Sequence, residues 1–210
     1  MLRFLGVAAA VVGVSAGAVA GYAYHDFSSA FTANAVDLEG QETTPPDIGE
    51  LVDGEGVDLL LTGLDICEWN SHEKFGDRCP NYREAYGPDG RQLQAGLNDV
   101  NLFVHISPAP RKITVVAFPR DLMGPAPECS SPQDGTVVGS SDRRMMNEAY
   151  GNGGLACVAK TIDAVTTQYD PGLAIDYAAT VTWNGVIEIT NALGGVDVCV
   201  ANTIDDDEAG

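Results

Sequence analysis

The chain has 210 residues, of which 45% are hydrophobic, enough for one domain with a sizeable core. Its 30 acidic residues against 11 basic ones give a formal net charge of -19, which argues against nucleic acid as a partner because its phosphates would be repelled. A phosphorylated substrate would need a local cluster of positive charge, or a bound cation, to offset that field.

From Met1 to about Ala23 the only charge is Arg3, and the rest is apolar or small. At about 1.5 Å of rise per residue such a stretch spans a hydrocarbon core of ~30 Å. Residues 1–25 therefore read as a transmembrane anchor or a signal segment. A basic residue before the stretch and Asp26 after it place the N-terminus inside and the remaining chain outside, as a single-pass protein of the cell membrane. The small-residue pattern Ala18-Val19-Ala20 before Gly21 is the competing signal, for cleavage. Both readings export the domain. Residues 26–56 are polar and acidic around Thr43-Thr44-Pro45-Pro46, and read as an extracytoplasmic tether.

The domain, residues 57–210, opens with the apolar run Val57–Gly63, a buried strand. A polar excursion follows from about Glu68 to Gly96. Val100–Ile106 and Ile113–Phe118 are two further strands, separated by the turn residues Ser107-Pro108-Ala109-Pro110-Arg111. Asp142–Tyr150 has helical character. Leu155, Val158, Ile162 and Val165 recur at helical spacing. Leu173–Val181 reads as a strand, Trp183–Leu193 as a helix and Val196–Val200 as a last strand. The alternation predicts an α/β domain in which helices cover a central sheet. A final strand with an odd cysteine, followed by the acidic run Asp205–Glu208, predicts a domain incomplete at its C-terminus. The acidic run itself reads as a solvated face or tail.

Five cysteines suit an exported protein, in which disulfides persist. Cys67 and Cys79 flank one polar loop, and Cys129 and Cys157 flank another, which favours local pairing in that order without fixing it. Zinc is the alternative, but no pair has Cys-x-x-Cys spacing. Cys199 is either a free thiol or the partner of a cysteine beyond Gly210.

Three segments set polar residues at strand ends, where α/β folds build ligand sites. Asp65 follows the first strand, Asp99 stands immediately before the second, and Arg120 and Asp121 leave the third. If these strands are neighbours, Asp65 and Asp99 would suit a hard divalent cation such as magnesium, and the Arg120 guanidinium would bind a phosphate in bidentate fashion. Taken singly, an aspartate after a strand is more often a cap or turn former, and an Arg-Asp pair is usually solvated. His25, His72 and His105 show no metal-ligand spacing, and His105 in an apolar strand reads as structural. Gly151-Asn152-Gly153-Gly154 reads as a turn between helices, with an anion cradle as the alternative.

The ordered set of segments is more specific than any one of them. Asp99 to Ile106, Ile113 to Leu122 with Phe-Pro-Arg-Asp-Leu, Met146-Asn147-Glu148-Ala149-Tyr150 with Gly153-Gly154, and Asp176 to Val200 with Leu193-Gly194-Gly195-Val196-Asp197-Val198-Cys199-Val200 together resemble the LytR-CpsA-Psr family. The resemblance covers about Val57 to Val200. It implies an α/β/α domain with a central mixed sheet behind one N-terminal transmembrane helix. It also implies a magnesium-dependent transferase that moves a glycopolymer from a polyprenyl-pyrophosphate carrier to peptidoglycan. By the same resemblance Asp65 and Asp99 hold the magnesium and Arg120 binds the pyrophosphate. Asp99, Arg120 and Asp121 are then the catalytic set. A surface protein of the same fold that binds polyprenyl lipid or wall polymer without turnover is the alternative.

The chain departs from the family pattern in three places. Ile66-Cys67 replaces Ser-Arg after the first aspartate, Leu97 replaces an arginine two residues before the second, and a later arginine-bearing segment would lie past Gly210. Arg78, Arg83 and Arg91 are the arginines of the long loop that could replace them.

Overall fold

The computed structural model describes residues 2–32, 38, 54, 56–93, 96–132 and 134–203. It divides into two units, Met1–Asp37 and Leu38–Gly210. The first contains helix α1, Leu2–Thr32, built from a run rich in Ala and Val. Among the described residues no helix is long and apolar enough to cross a membrane, so the expected transmembrane anchor is not seen there. The helix continues into the expected tether, whose remaining residues, like the acidic run near the C-terminus, lie mostly outside the described ones.

In the second unit, β1 (Val57–Leu64), β2 (Asn98–Ile106), β3 (Ile113–Phe118) and β8 (Tyr177–Val181) form one sheet in the order β3-β2-β1-β8. β2 runs antiparallel to both β1 and β3, whereas β1 and β8 are parallel, so the sheet is mixed as expected. Two small hairpin-like pairs lie outside it. β4 (Met123–Ala126) pairs with β7 (Ser141–Met145), and β5 (Cys129–Ser130) with β6 (Val137–Val138).

Side chains alternate across a strand, so Leu60 and Phe103 point to one face of the sheet and Leu61 and Leu102 to the other. Helix α2 (Ala149–Thr166) covers the first face: Val158, Ala159 and Ile162 form one buried cluster with Leu60, Phe103, Met146 and Ile175. The helix is broken near its start by Gly153 and Gly154, the second with φ +67°. That break is the glycine turn expected there. Helix α3 (Trp183–Ala192) begins at Thr182, whose Oγ1 accepts the Gly185 N–H at 3.2 Å. It ends where Gly194 and Gly195 turn left-handed, with the Gly195 N–H donating to the Thr190 carbonyl at 2.9 Å.

Four expectations need correction. Asp99 lies inside β2, not before it. Residues 141–145 are a strand rather than helix, because β4 supplies a partner, and a short 3-10 turn begins only at Met146. Pro171–Leu173 is a 3-10 turn, so β8 starts later than expected, at Tyr177. Residues 196–200 form no strand, since no described strand lies beside them.

Candidate functional site

The site begins with an irregularity in the β1–β2 ladder. Gly63 pairs with Val100 but the next residue, Leu64, pairs with Asn98, which leaves Asp99 as an extra residue opposite no partner. Such a bulge turns the extra side chain away from the regular pleat and is frequent beside functional sites. Gly63 permits it: a Cβ there would lie 2.9 Å from the Val100 Cβ. Asp65 follows directly, its N–H donating to the Leu97 carbonyl at 3.1 Å.

The end of β3 delivers the cation. Arg120 Nη1 donates to Asp99 Oδ2 at 3.3 Å, and its Nε lies 3.7 Å from Asp121 Oδ2. The turn after β3 is moored to the core, because the Arg120 carbonyl accepts the Asn147 N–H and the Leu122 carbonyl accepts the Met146 N–H. Asp65, Asp99 and Arg120 thus line one cleft of ≈ 610 Å³, joined there by Arg78. Leu61, Leu102, Val181 and Val186 supply its apolar wall, on the sheet face that α2 does not cover. Asp121 is paired to Arg120 but is not a lining residue.

The two carboxylates of the cleft are incompletely satisfied by hydrogen bonds. Asp99 Oδ1 is buried and has no hydrogen-bond partner. The carboxyl of Asp65 is held above its ordinary value of 3.8, first by burial and then by the charge of Asp99, against the pull of Arg78 and Arg120. Among the described residues no group of three or more His, Cys, Asp or Glu stands ready for a metal. Two convergent carboxylates with an orphaned oxygen are nevertheless a donor set that suits a hard cation, which would take its remaining ligands from water and substrate phosphate.

Of the other residues singled out from sequence, Cys67–Cys79 and Cys129–Cys157 are both disulfides, and Cys199 is free and exposed. The first lies beside the cleft, since Arg78 precedes Cys79. The second fastens β5 to α2 in the core. His105 is structural, its Nδ1 2.8 Å from Asp58 Oδ1. Sequence reasoning missed Asn98, which is fully buried and ties the start of β2 to α2. A buried polar residue immediately before a candidate acid was the available signal.

The model of the LytR_cpsA_psr family matches residues 23–210. The chain belongs to the LytR_cpsA_psr family. Among solved structures, this family member is similar to protein gbs0355 from Streptococcus agalactiae, with 19% identity and a TM-score of 0.47 over 74% of this chain and 41% of that one. It is also similar to TagT bound to LIIa-WTA, with 17% identity and a TM-score of 0.47 over 80% and 49%. A third is the LytR-CPS2A-psr family protein YwtF (TagT) with bound octaprenyl pyrophosphate lipid, at 16% and 0.46 over 83% and 52%. These likenesses are distant, and the chain spans only about half the length of those structures. No curated protein matches it.

Proposed function

We propose that this LytR_cpsA_psr family member binds a polyprenyl-pyrophosphate-linked glycopolymer in the cleft and transfers its sugar-bearing phosphate to peptidoglycan. The observation that carries the reading is the union, in one cleft, of an apolar wall with Asp65, Asp99 and Arg120. An isoprenoid tail needs the wall, and a pyrophosphate needs the charged groups. Those three polar groups are the ones that the family resemblance assigns.

In the proposed reaction an acceptor hydroxyl attacks the sugar-bearing phosphorus. Its oxygen forms the new P–O bond, the bond to polyprenyl phosphate breaks, and polyprenyl phosphate leaves with the electron pair. The hydroxyl proton passes to a cleft carboxylate or to water. Arg120 offsets charge on the phosphate oxygens, and Asp99 and Asp121 fix the plane of its guanidinium. Magnesium, held by Asp65 and Asp99, would add charge neutralisation on the pyrophosphate. Residues 1–25 would tether the domain to the outer face of the cell membrane, a reading supported by their apolar composition with the single charge Arg3.

The test is isothermal titration of the full chain with geranyl pyrophosphate, beside an assay for release of polyprenyl phosphate from a lipid-linked glycan. Binding that Arg120→Ala weakens by about 1.5–3 kcal/mol, together with turnover lost in Asp99→Ala, supports the transferase. Binding without turnover makes the chain a lipid-binding relative of the enzymes. Affinity unchanged by Arg120→Ala removes that residue from the site.

A further inference from the structure

Four titratable side chains line the cleft, and they divide evenly: Asp65 and Asp99 against Arg78 and Arg120. Arg120 is already engaged by Asp99 and Asp121. Arg78 is exposed, and among the described residues its guanidinium makes no hydrogen bond or ion pair. It is therefore the cleft's uncommitted cation. The other loop arginines are placed differently. Arg83 donates to the Tyr86 and Gly87 carbonyls, both at 2.9 Å, and sits over the Trp69 ring. Arg91 lines a separate cleft.

A surface arginine on a long loop would ordinarily sample many positions, but the loop that carries Arg78 is moored at several points. The Cys67–Cys79 disulfide closes it immediately after Arg78, and both cysteines are buried. Cys67 Sγ lies 3.6 Å from the Arg78 carbonyl. Phe75 packs on Trp183 with ring centroids 5.1 Å apart, and Thr182 Oγ1 donates to Glu68 Oε1 at 2.9 Å. These contacts fix the loop to the start of α3, and Thr182 and Trp183 themselves line the cleft. The backbone that carries Arg78 is thus fixed beside α3, and Arg78 lines the cleft together with the two carboxylates.

We propose that Arg78 is the second cation that holds the pyrophosphate of the lipid substrate, presented to the cleft by the loop that the Cys67–Cys79 disulfide closes. This rests on the reading of the cleft given above. Its consequence is an anion site divided between two structures. Arg120 comes from the sheet, and Arg78 comes from a cross-linked loop whose position depends on oxidised cysteines. Reduction of that one disulfide would release half of the positive charge that faces the substrate.

The experiment is calorimetric titration of the full chain, in magnesium-containing buffer, with geranyl pyrophosphate and with geranyl monophosphate. Arg78→Ala is expected to weaken the pyrophosphate ligand by about tenfold or more, as for a lost hydrogen bond to a charged group. The monophosphate, which spans less of the site, should weaken far less. Arg78→Lys should recover part of the loss, and Arg143→Ala, an exposed arginine on β7, should change neither. Cys67→Ser/Cys79→Ser should weaken pyrophosphate binding as Arg78→Ala does, and adding Arg78→Ala to it should cost little more. Where that double variant does not fold, Phe75→Ala, which removes the contact with Trp183, gives the same reading. Pyrophosphate binding that is lost in Arg120→Ala but untouched in Arg78→Ala overturns the proposal and leaves the cleft reading standing. Equal weakening of both ligands by Arg78→Ala and by Arg143→Ala also overturns it, because only the general field would then be at work. A wild-type chain that binds neither ligand sinks the cleft reading and this inference together.

Discussion

Replacing Asn98 by alanine tests whether the start of β2 is held by its buried amide. Asn98 is 0% exposed. Its Nδ2 donates to Asn101 Oδ1 and to the Met146 carbonyl, both at 3.0 Å, and its Oδ1 accepts the Tyr150 N–H at 2.9 Å. Tyr150 stands in the first turn of α2, where backbone N–H groups lack intrahelical acceptors, so a strand residue caps a distant helix. Asn98→Ala removes all three bonds, but their losses are unequal. The Met146 carbonyl keeps the Ala149 N–H. The Tyr150 N–H and Asn101 Oδ1 are left without those partners, at about 1–3 kcal/mol each, so the expected loss is about 2–6 kcal/mol. That is a large share of the ~5–15 kcal/mol that holds a typical domain. Urea unfolding followed by circular dichroism should show a lower midpoint at unchanged slope. Asn98→Asp should remain destabilised, because it keeps the acceptor but loses both donated bonds. An unfolding free energy within about 0.5 kcal/mol of wild type for Asn98→Ala, the range of an ordinary surface change, would refute the reasoning.

Three further outcomes are expected. Burial holds the carboxyl of Asp163 above 3.8, helped by the charges of Asp176 and Asp58 and opposed by the Ile175 N–H. A raised folded value gives stability that is complete below the unfolded value and lost as pH rises through the folded one. The advantage of wild type over Asp163→Asn, which keeps the acceptor for Ile175, should therefore shrink as pH climbs from about 4, and a difference that grows with pH would contradict this. Removing the Cys129–Cys157 bridge, which joins residues 28 apart, should cost about 3.5 kcal/mol by loop-closure entropy. Peptide mapping without reduction should find that pair linked and Cys199 alkylated, and alkylation of Cys129 or Cys157 would exclude the bridge. Thr182→Ala removes the cap of α3 and its bond to Glu68, and should lower stability by about 1–2 kcal/mol in thermal unfolding; no change would mean that the cap is not used.

The sheet was legible wherever apolar, β-branched residues ran between turn formers. Ile113–Phe118 starts and stops where sequence places it, between a proline-rich turn and Pro119. The failures are non-local. Ser141–Met145 carries no strand-like pattern and is a strand because β4 lies beside it. Val196–Val200 has the pattern but no neighbouring strand among the described residues. Asp65, Asp99 and Arg120 were identifiable as strand-end residues, yet the bulge that turns Asp99 into the cleft depends on the register of two strands. Choosing Arg78 over Arg83 and Arg91 required knowing where a disulfide-closed loop lands, which composition and spacing do not encode.

The parallel pairing of β1 with β8 has a bearing on how the chain is made. Asp58 donates its N–H to Asp176 Oδ2 across 118 residues of sequence, and the ladder beside them pairs strands equally remote. During synthesis β1 can be zipped to β2 early, but its other edge waits until β8 arrives. That edge belongs to the apolar run Val57–Leu64, the kind of unpaired strand on which nascent chains associate. Contacts so far apart also slow the search for the native sheet. A newly made chain holds this edge open until the later strand arrives. The yield of folded chain should then depend more on how quickly the later strand folds back onto β1 than on the final stability of the sheet.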